Sequence, residues 1–206
     1  MKILVTGFTP FGGQTINVSW QAVKRLPDKI DGVEICKMEI PTVFGKSADT
    51  ILEFTRRAKP RAVIVVGEAG GRKYITPERV AINVDDARMP DNNGQLPVDR
   101  PIVKGAREAY FTTLPVRKII EAIDQVGVPV QISNSAGTYV CNHVMYRLLH
   151  EANMAQMPFL TGFIHLPYCE EQVVGKDDPA LPLQDICRGL EAGVRVVVEA
   201  VLEREH

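Results

Sequence analysis

The run Ala62-Val63-Ile64-Val65-Val66 decides the fold. It is apolar without a break, and four of its five residues are β-branched. A half-buried strand would alternate apolar with polar residues. This pattern instead predicts a central strand covered on both faces, as in a parallel sheet flanked by helices. Upstream, Ser47 to Arg57 has helical spacing at Ile51, Leu52 and Phe54–Thr55, and residues 33–40 (VEICKMEI) form a strand. Further out, residues 2–6 (KILVT) are a buried strand ended by Gly7. After a loop rich in Gly and Phe, Asn17 or Ser19 caps a helix over about 18–26, with Trp20, Val23 and Leu26 on one stripe.

Downstream, the region 68–105 breaks the rhythm. Val80–Val84 suggests a short strand among Pro77, Pro90, Gly94, Pro97 and Pro101, so an inserted hairpin or ordered loop is expected there. Long loops of this kind in compact domains are usually functional. The alternation then resumes. Pro115 suits the start of a helix carrying Ile119, Ile120 and Ile123, with Gly127 past its end. A strand at Pro129–Asn134, a helix at 142–152, a strand at 160–165 and a helix at 184–203 follow. The expected fold is α/β: a single three-layer α/β/α sandwich around a mainly parallel sheet, with residues 1–206 forming one domain.

Composition narrows the function. Lys and Arg total 24 against 25 Asp and Glu, a net charge of -1, which provides no electrostatic footprint for nucleic acid or for an anionic membrane. Apolar residues make up 45% and charged ones 24%, a globular mixture that argues against disorder. A chain of this length buries roughly two-thirds of its unfolded surface and needs no metal or disulfide to fold. The start, Met1-Lys2-Ile3-Leu4-Val5, is too short an apolar run for a signal peptide, and no window has the ~18 apolar residues of a membrane span. A cytoplasmic chain is expected. Cys36, Cys141, Cys169 and Cys187 are scattered, which fits free thiols, and the four histidines share no zinc-ligand spacing with them.

In open α/β sheets, sites lie beyond the carboxyl ends of the strands. Four segments fall there: Gly7–Gly13, Gly67–Gly71, Ser135–Cys141 and His165–Pro167. Neither glycine loop has phosphate-binding spacing, and Phe8 and Phe11 suit a flat uncharged ligand or simply the core. Cys141 opens a helical stretch, where the dipole favours a thiolate, although free cysteines are more often inert and buried. A nucleophilic Cys needs a base, and the base an orienting acceptor. His165 and Glu78 are candidates; equally, His165 suits a core histidine and Glu78 a solvated loop carboxylate. His143 competes as base, but two residues apart on one helix it does not face Cys141.

Three motifs carry a resemblance. They are Thr6-Gly7-Phe8-Thr9-Pro10-Phe11-Gly12-Gly13, then Gly67-x-x-Gly70 with Ile75–Asn83 and Asp86–Asn92, and Ser133–Asn142 with Gly162–Tyr168 beyond it. The sequence resembles the pyroglutamyl peptidase I family of cysteine peptidases, from Lys2 to about Gln172. The resemblance implies Cys141 as nucleophile, His165 as general base and acid, and Glu78 as the residue orienting the imidazole. It places Phe8 and Phe11 against the lactam, Thr42, Met89, Tyr139 and Val140 at other pocket positions, and Arg88 beside the reaction centre. Glu68 lies in the pocket where relatives often have glutamine, and Val18 replaces a common proline. The implied reaction releases free pyroglutamate from peptide N-termini through a thioester. Metal and organic cofactors are not implied, and a homotetramer is. A binding protein for cyclic-amide N-termini and a nucleoside-phosphorylase-like enzyme are the alternatives.

Overall fold

A computed structural model describes residues 1–154 and 159–204. In chain order the elements are β1 (Lys2–Phe8), α1 (Val18–Val23), β2 (Lys29–Ile30), β3 (Val33–Ile40), α2 (Lys46–Ala58), β4 (Ala62–Glu68), β5 (Thr76–Pro77), β6 (Val80–Ile82) and β7 (Ala109–Phe111). They continue with α3 (Val116–Gln125), α4 (Val140–Met154), β8 (Leu160–Leu166), β9 (Tyr168–Cys169), β10 (Ala180–Leu181) and α5 (Leu183–Glu203). The main sheet has the order β2-β3-β1-β4-β8-β5. Its four central strands are parallel, and the short β2 and β5 close the two edges antiparallel.

Every residue of β4 and β8 is buried, which explains the unbroken apolar run of β4. Side chains still alternate between faces. Ile3, Val5, Ile64, Val66 and Ile164 meet α1, α3 and α5, whereas Leu4, Val63, Val65 and Phe163 meet α2 and α4. The result is the expected sandwich of helices, sheet and helices.

Three local expectations change. The segment 129–134 is not a continuous strand, although it runs parallel beside β5. Ile75 N–H donates to Pro129 O, Gln131 N–H to Ile75 O, Ser133 N–H to Pro77 O and Arg79 N–H to Ser133 O. The missing rung is the one Pro77 would donate, because proline has no N–H, and only isolated bridges remain. The helix expected over 18–26 stops at Val23, where tighter i→i+3 bonds from Arg25 to Ala22 and Leu26 to Val23 close it. The short strand β6 pairs antiparallel with β7, beyond the expected insertion, so the excursion is a long hairpin. The Asp85–Arg100 bridge narrows it and sets off the loop 86–99.

Gly7 fixes how closely α1 approaches β1. A Cβ there would lie 2.6 Å from both Cα and N of Trp20, which are backbone atoms of α1 and have no rotamer by which to yield. Gly7→Ala is therefore expected to lower stability by about 1–3 kcal/mol or more, as over-packing does. Urea unfolding measures it, and an unchanged midpoint would contradict this packing.

Candidate active site

His165 is the sixth residue of β8, and its register decides its neighbours. It lies opposite Gly67 of β4 on one side and Thr76 of β5 on the other. Glu78 follows β5, and its N–H donates to Phe163 O at 2.9 Å, so its side chain shares a face with His165. His165 Nδ1 lies 2.7 Å from Glu78 Oε1, and Glu78 is wholly buried. An ionised carboxylate only accepts, so Nδ1 carries the proton and Nε2 keeps its lone pair.

Cys141 is the second residue of α4, within its first turn. Gly67 makes room for the thiol. A Cβ at Gly67 would come within 3.2 Å of Cys141 Sγ and 2.5 Å of the Phe163 ring. Gly67 thus has His165 beside it in the sheet and the thiol above it.

Cys141 and His165 line one cavity of about 500 Å³. Phe8, Phe11, Thr42, Glu68, Arg88, Met89 and Tyr139 line it too. Phe8 is both core and wall: it is 2% exposed and packs against Phe163. Tyr139 sits between Phe11 and Phe44, edge-on to the latter. Val140 does not line the cavity; its side chain is buried in the core between α2, α4 and the sheet. Asn17 was expected only as a possible helix cap. It does cap α1, accepting from Ser19 N–H, and it also lines the cavity while donating to Thr9 O. Arg72 lines the cavity and reaches Glu78 Oε1 at 2.7 Å.

Residues 1–200 match the sequence family described as pyroglutamyl peptidase. The chain belongs to the pyroglutamyl peptidase family. The pyrrolidone-carboxylate peptidase of Alkaliphilus oremlandii is 51% identical over 97% of this chain and 94% of its own. The Streptococcus pyogenes protein of the same name is 50% identical over 97% and 93%. A crystal structure of Bacillus amyloliquefaciens pyroglutamyl peptidase I has a TM-score of 0.93 at 44% identity, covering 96% of this chain and 97% of that one. A Pyrococcus furiosus pyrrolidone carboxyl peptidase variant also gives 0.93, at 41% identity over 97% and 99%.

This member of the pyroglutamyl peptidase family is a cysteine peptidase, and of its four cysteines, all free, only Cys141 lines the cavity. Burial pushes the Cys141 thiol up to about 12; the Glu78 and Glu68 carboxylates add to this, and Arg72 opposes it. The thiolate expected from the helix start is therefore not the resting form. Burial also lowers His165, against the pull of Glu78 and with the help of Arg72. Burial alone would raise Glu78, but the hydrogen bond and charge of His165, with Arg72, bring it below its ordinary value. The resting pair is a neutral thiol beside a neutral imidazole, oriented by an ionised carboxylate.

His143 is held elsewhere. Its Nε2 accepts from Gly45 N–H at 3.1 Å and its Nδ1 faces Asp85 at 2.8 Å. Both ring nitrogens are occupied, so it anchors α4 to the loops around it. Asn142 acts likewise, bonding Ile82 through both backbone groups and Val84 O through its amide. Among the described residues, no group of three or more His, Cys, Asp or Glu is placed to hold a metal ion.

Glu68 Oε2 accepts from Val18 N–H at 3.1 Å and from Gln172 Nε2 at 2.7 Å. Neither Arg72 nor Arg88 pairs with it: Arg72 binds Glu78 instead. Burial raises Glu68 above its ordinary 4.5 despite the two hydrogen bonds. A raised carboxyl favours the fold below its unfolded pKa, and that contribution is lost as pH rises through the folded pKa. Glu68→Gln can accept the same two bonds without the buried charge. It should be more stable than wild type at pH 8, and by a smaller margin at pH 4.5. Paired denaturant melts test this; an equal difference at both pH values would refute it.

Proposed function

We propose that the protein is an exopeptidase that hydrolyses the amide bond after an N-terminal pyroglutamyl residue, with Cys141 as nucleophile, His165 as base and acid, and Glu78 as orienter. One observation carries the reading: the thiol and the imidazole line one cavity, and the imidazole is held from behind by a buried carboxylate. Because thiol and ring rest neutral, the proton moves as attack occurs. His165 Nε2 takes it while Sγ adds to the pyroglutamyl carbonyl carbon. Backbone N–H groups of the first turn of α4 lack intrahelical partners and supply donors for the oxyanion. His165 then gives its proton to the departing amine nitrogen as the C–N bond breaks, leaving a thioester. Water, deprotonated by the same nitrogen, attacks the thioester, free pyroglutamate leaves, and Sγ regains its proton.

The walls suit the ligand. Pyroglutamate is a flat, uncharged lactam without a free amine, and the rings of Phe8, Phe11 and Tyr139 offer it apolar surface. Gly70 also lines the cavity, and Tyr168 packs so closely against it that a Cβ there would stand 2.2 Å from the ring. A single catalytic unit over residues 1–206, a homotetramer and a cytoplasmic location belong to the same reading. Exposed Phe111 on β7 and Ile82 on β6 support self-association, which light scattering measures. No helix among the described residues is long and apolar enough to cross a membrane.

Steady-state hydrolysis of a pyroglutamyl chromogenic amide tests the reaction. Wild type should turn over, Cys141→Ala should not, and bound pyroglutamate should slow iodoacetamide labelling of Cys141. Folded Glu78→Gln should lose roughly ten- to ten-thousand-fold in kcat, as a lost triad orienter does. The matching prolyl amide brings a cationic amine and lacks the lactam carbonyl, so its kcat/KM should fall by more than about a thousandfold. Activity in Cys141→Ala, or equal rates on both amides, would overturn the proposal.

A further inference from the structure

Arg72 is a half-buried cation that the reaction above does not use. Gly71, with φ +83°, turns the chain just after β4 and brings Arg72 back over the sheet edge. Its guanidinium then makes three contacts on two separate segments. Nη1 donates to Glu78 Oε1 at 2.7 Å and to Thr76 Oγ1 at 2.5 Å, and Nη2 donates to Ser135 O at 3.2 Å. The Glu78 oxygen it holds is the one His165 also uses. Thr76 is the residue paired with His165 across β5 and β8. Ser135 begins the stretch that leads into Cys141. One planar fork therefore touches the orienting carboxylate, the strand that carries it, and the approach to the nucleophile.

We propose that Arg72 is a positioning residue of the catalytic site, locking the Glu78 carboxylate against His165 and tying that pair to the loop that delivers Cys141. The proposal rests on the reading of Cys141, His165 and Glu78 given above. A guanidinium suits the task because its donors lie in a fixed plane and diverge at set angles, whereas an ammonium is a single point charge. Its charge has a second effect. Glu78 draws His165 toward the imidazolium and Arg72 opposes it, with Cys141 and Glu68 in the same cavity. Arg72 thus helps keep the imidazole neutral and able to accept the thiol proton.

The test compares wild type, Arg72→Gln, Arg72→Lys, Arg72→Ala and Cys141→Ala on the pyroglutamyl amide across pH, with thermal melts to confirm folding. For Arg72→Gln, kcat should fall roughly ten- to a hundredfold with KM within about threefold, since the interaction lost is one that serves the reacting geometry. The acid limb should move up by about one pH unit, because removing a nearby cation raises the imidazole pKa. Arg72→Lys should keep the acid limb near wild type but recover only part of kcat, because charge returns without the fork. Methylguanidinium should restore activity to Arg72→Ala. An unshifted acid limb in a folded Arg72→Gln, or wild-type kcat in Arg72→Lys together with wild-type kcat in Arg72→Gln, would overturn the assignment. If Arg72→Gln does not fold, wild-type kcat in a folded Arg72→Lys overturns it, and partial kcat with methylguanidinium rescue of Arg72→Ala supports it. Inactive wild type or active Cys141→Ala would instead overturn the catalytic reading beneath it.

Discussion

The pairing of Thr76 with His165 is the constraint on which the site depends. Strand β5 is only two residues long, yet its register puts Glu78 on the same face as His165. A slip of one residue would turn the carboxylate to the opposite face. So short a strand cannot hold its register alone. The segment 129–133 bonds its outer side, and α5 packs against Ile75 so closely that a Cβ at Gly189 would stand 2.7 Å from Ile75 Cδ1. The chemistry at one strand end is thus secured by a helix on the other side of the sheet.

Burial gives the site its electrostatic character. It raises the thiol, lowers the imidazole and opposes ionisation of both Glu68 and Glu78. Only Glu78 has enough compensation, from a hydrogen-bonded ring and a guanidinium, to be held below its ordinary value. The Glu78 charge therefore sits behind the imidazole, and in the proposed reaction the thiol and ring stay neutral until attack begins.

Sheet and helices were legible because their signal is local. The apolar runs of β1 and β4, the strand composition of β3 and the helical spacing of α2 and α5 are written within each segment, and the observed bounds fall within a few residues of those expected. The failure at 129–134 has a different origin: whether that segment forms a strand depends on Pro77, more than fifty residues earlier, and no window around it contains that information. The same limit applies to the site. Residue chemistry left His143 and His165 both open as bases, and the motifs of the family separated them. Geometry adds the physical reason, since both nitrogens of His143 are occupied. Asn17 and Arg72 are not recognisable in the sequence as residues that line the cavity, because a helix cap and a loop arginine look alike wherever they occur, and only the folded chain brings them there.

The loop 86–99 lies beside the cavity without a core of its own, and polar bonds fasten it to three other parts of the chain. Asp86 exchanges bonds with Thr138, Pro90 O accepts from Tyr139, and Asn92 bonds both Thr42 O and Pro10 O. Asp91, buried, accepts from Phe44 N–H and from its own loop. A wall assembled in this way is already in place before a ligand arrives. Binding then has little loop-ordering entropy to overcome, so affinity follows from contact and desolvation. The same rigidity narrows what the cavity can learn to accept: a larger N-terminal group would have to break several fastenings together, and a single substitution in the loop would release only one.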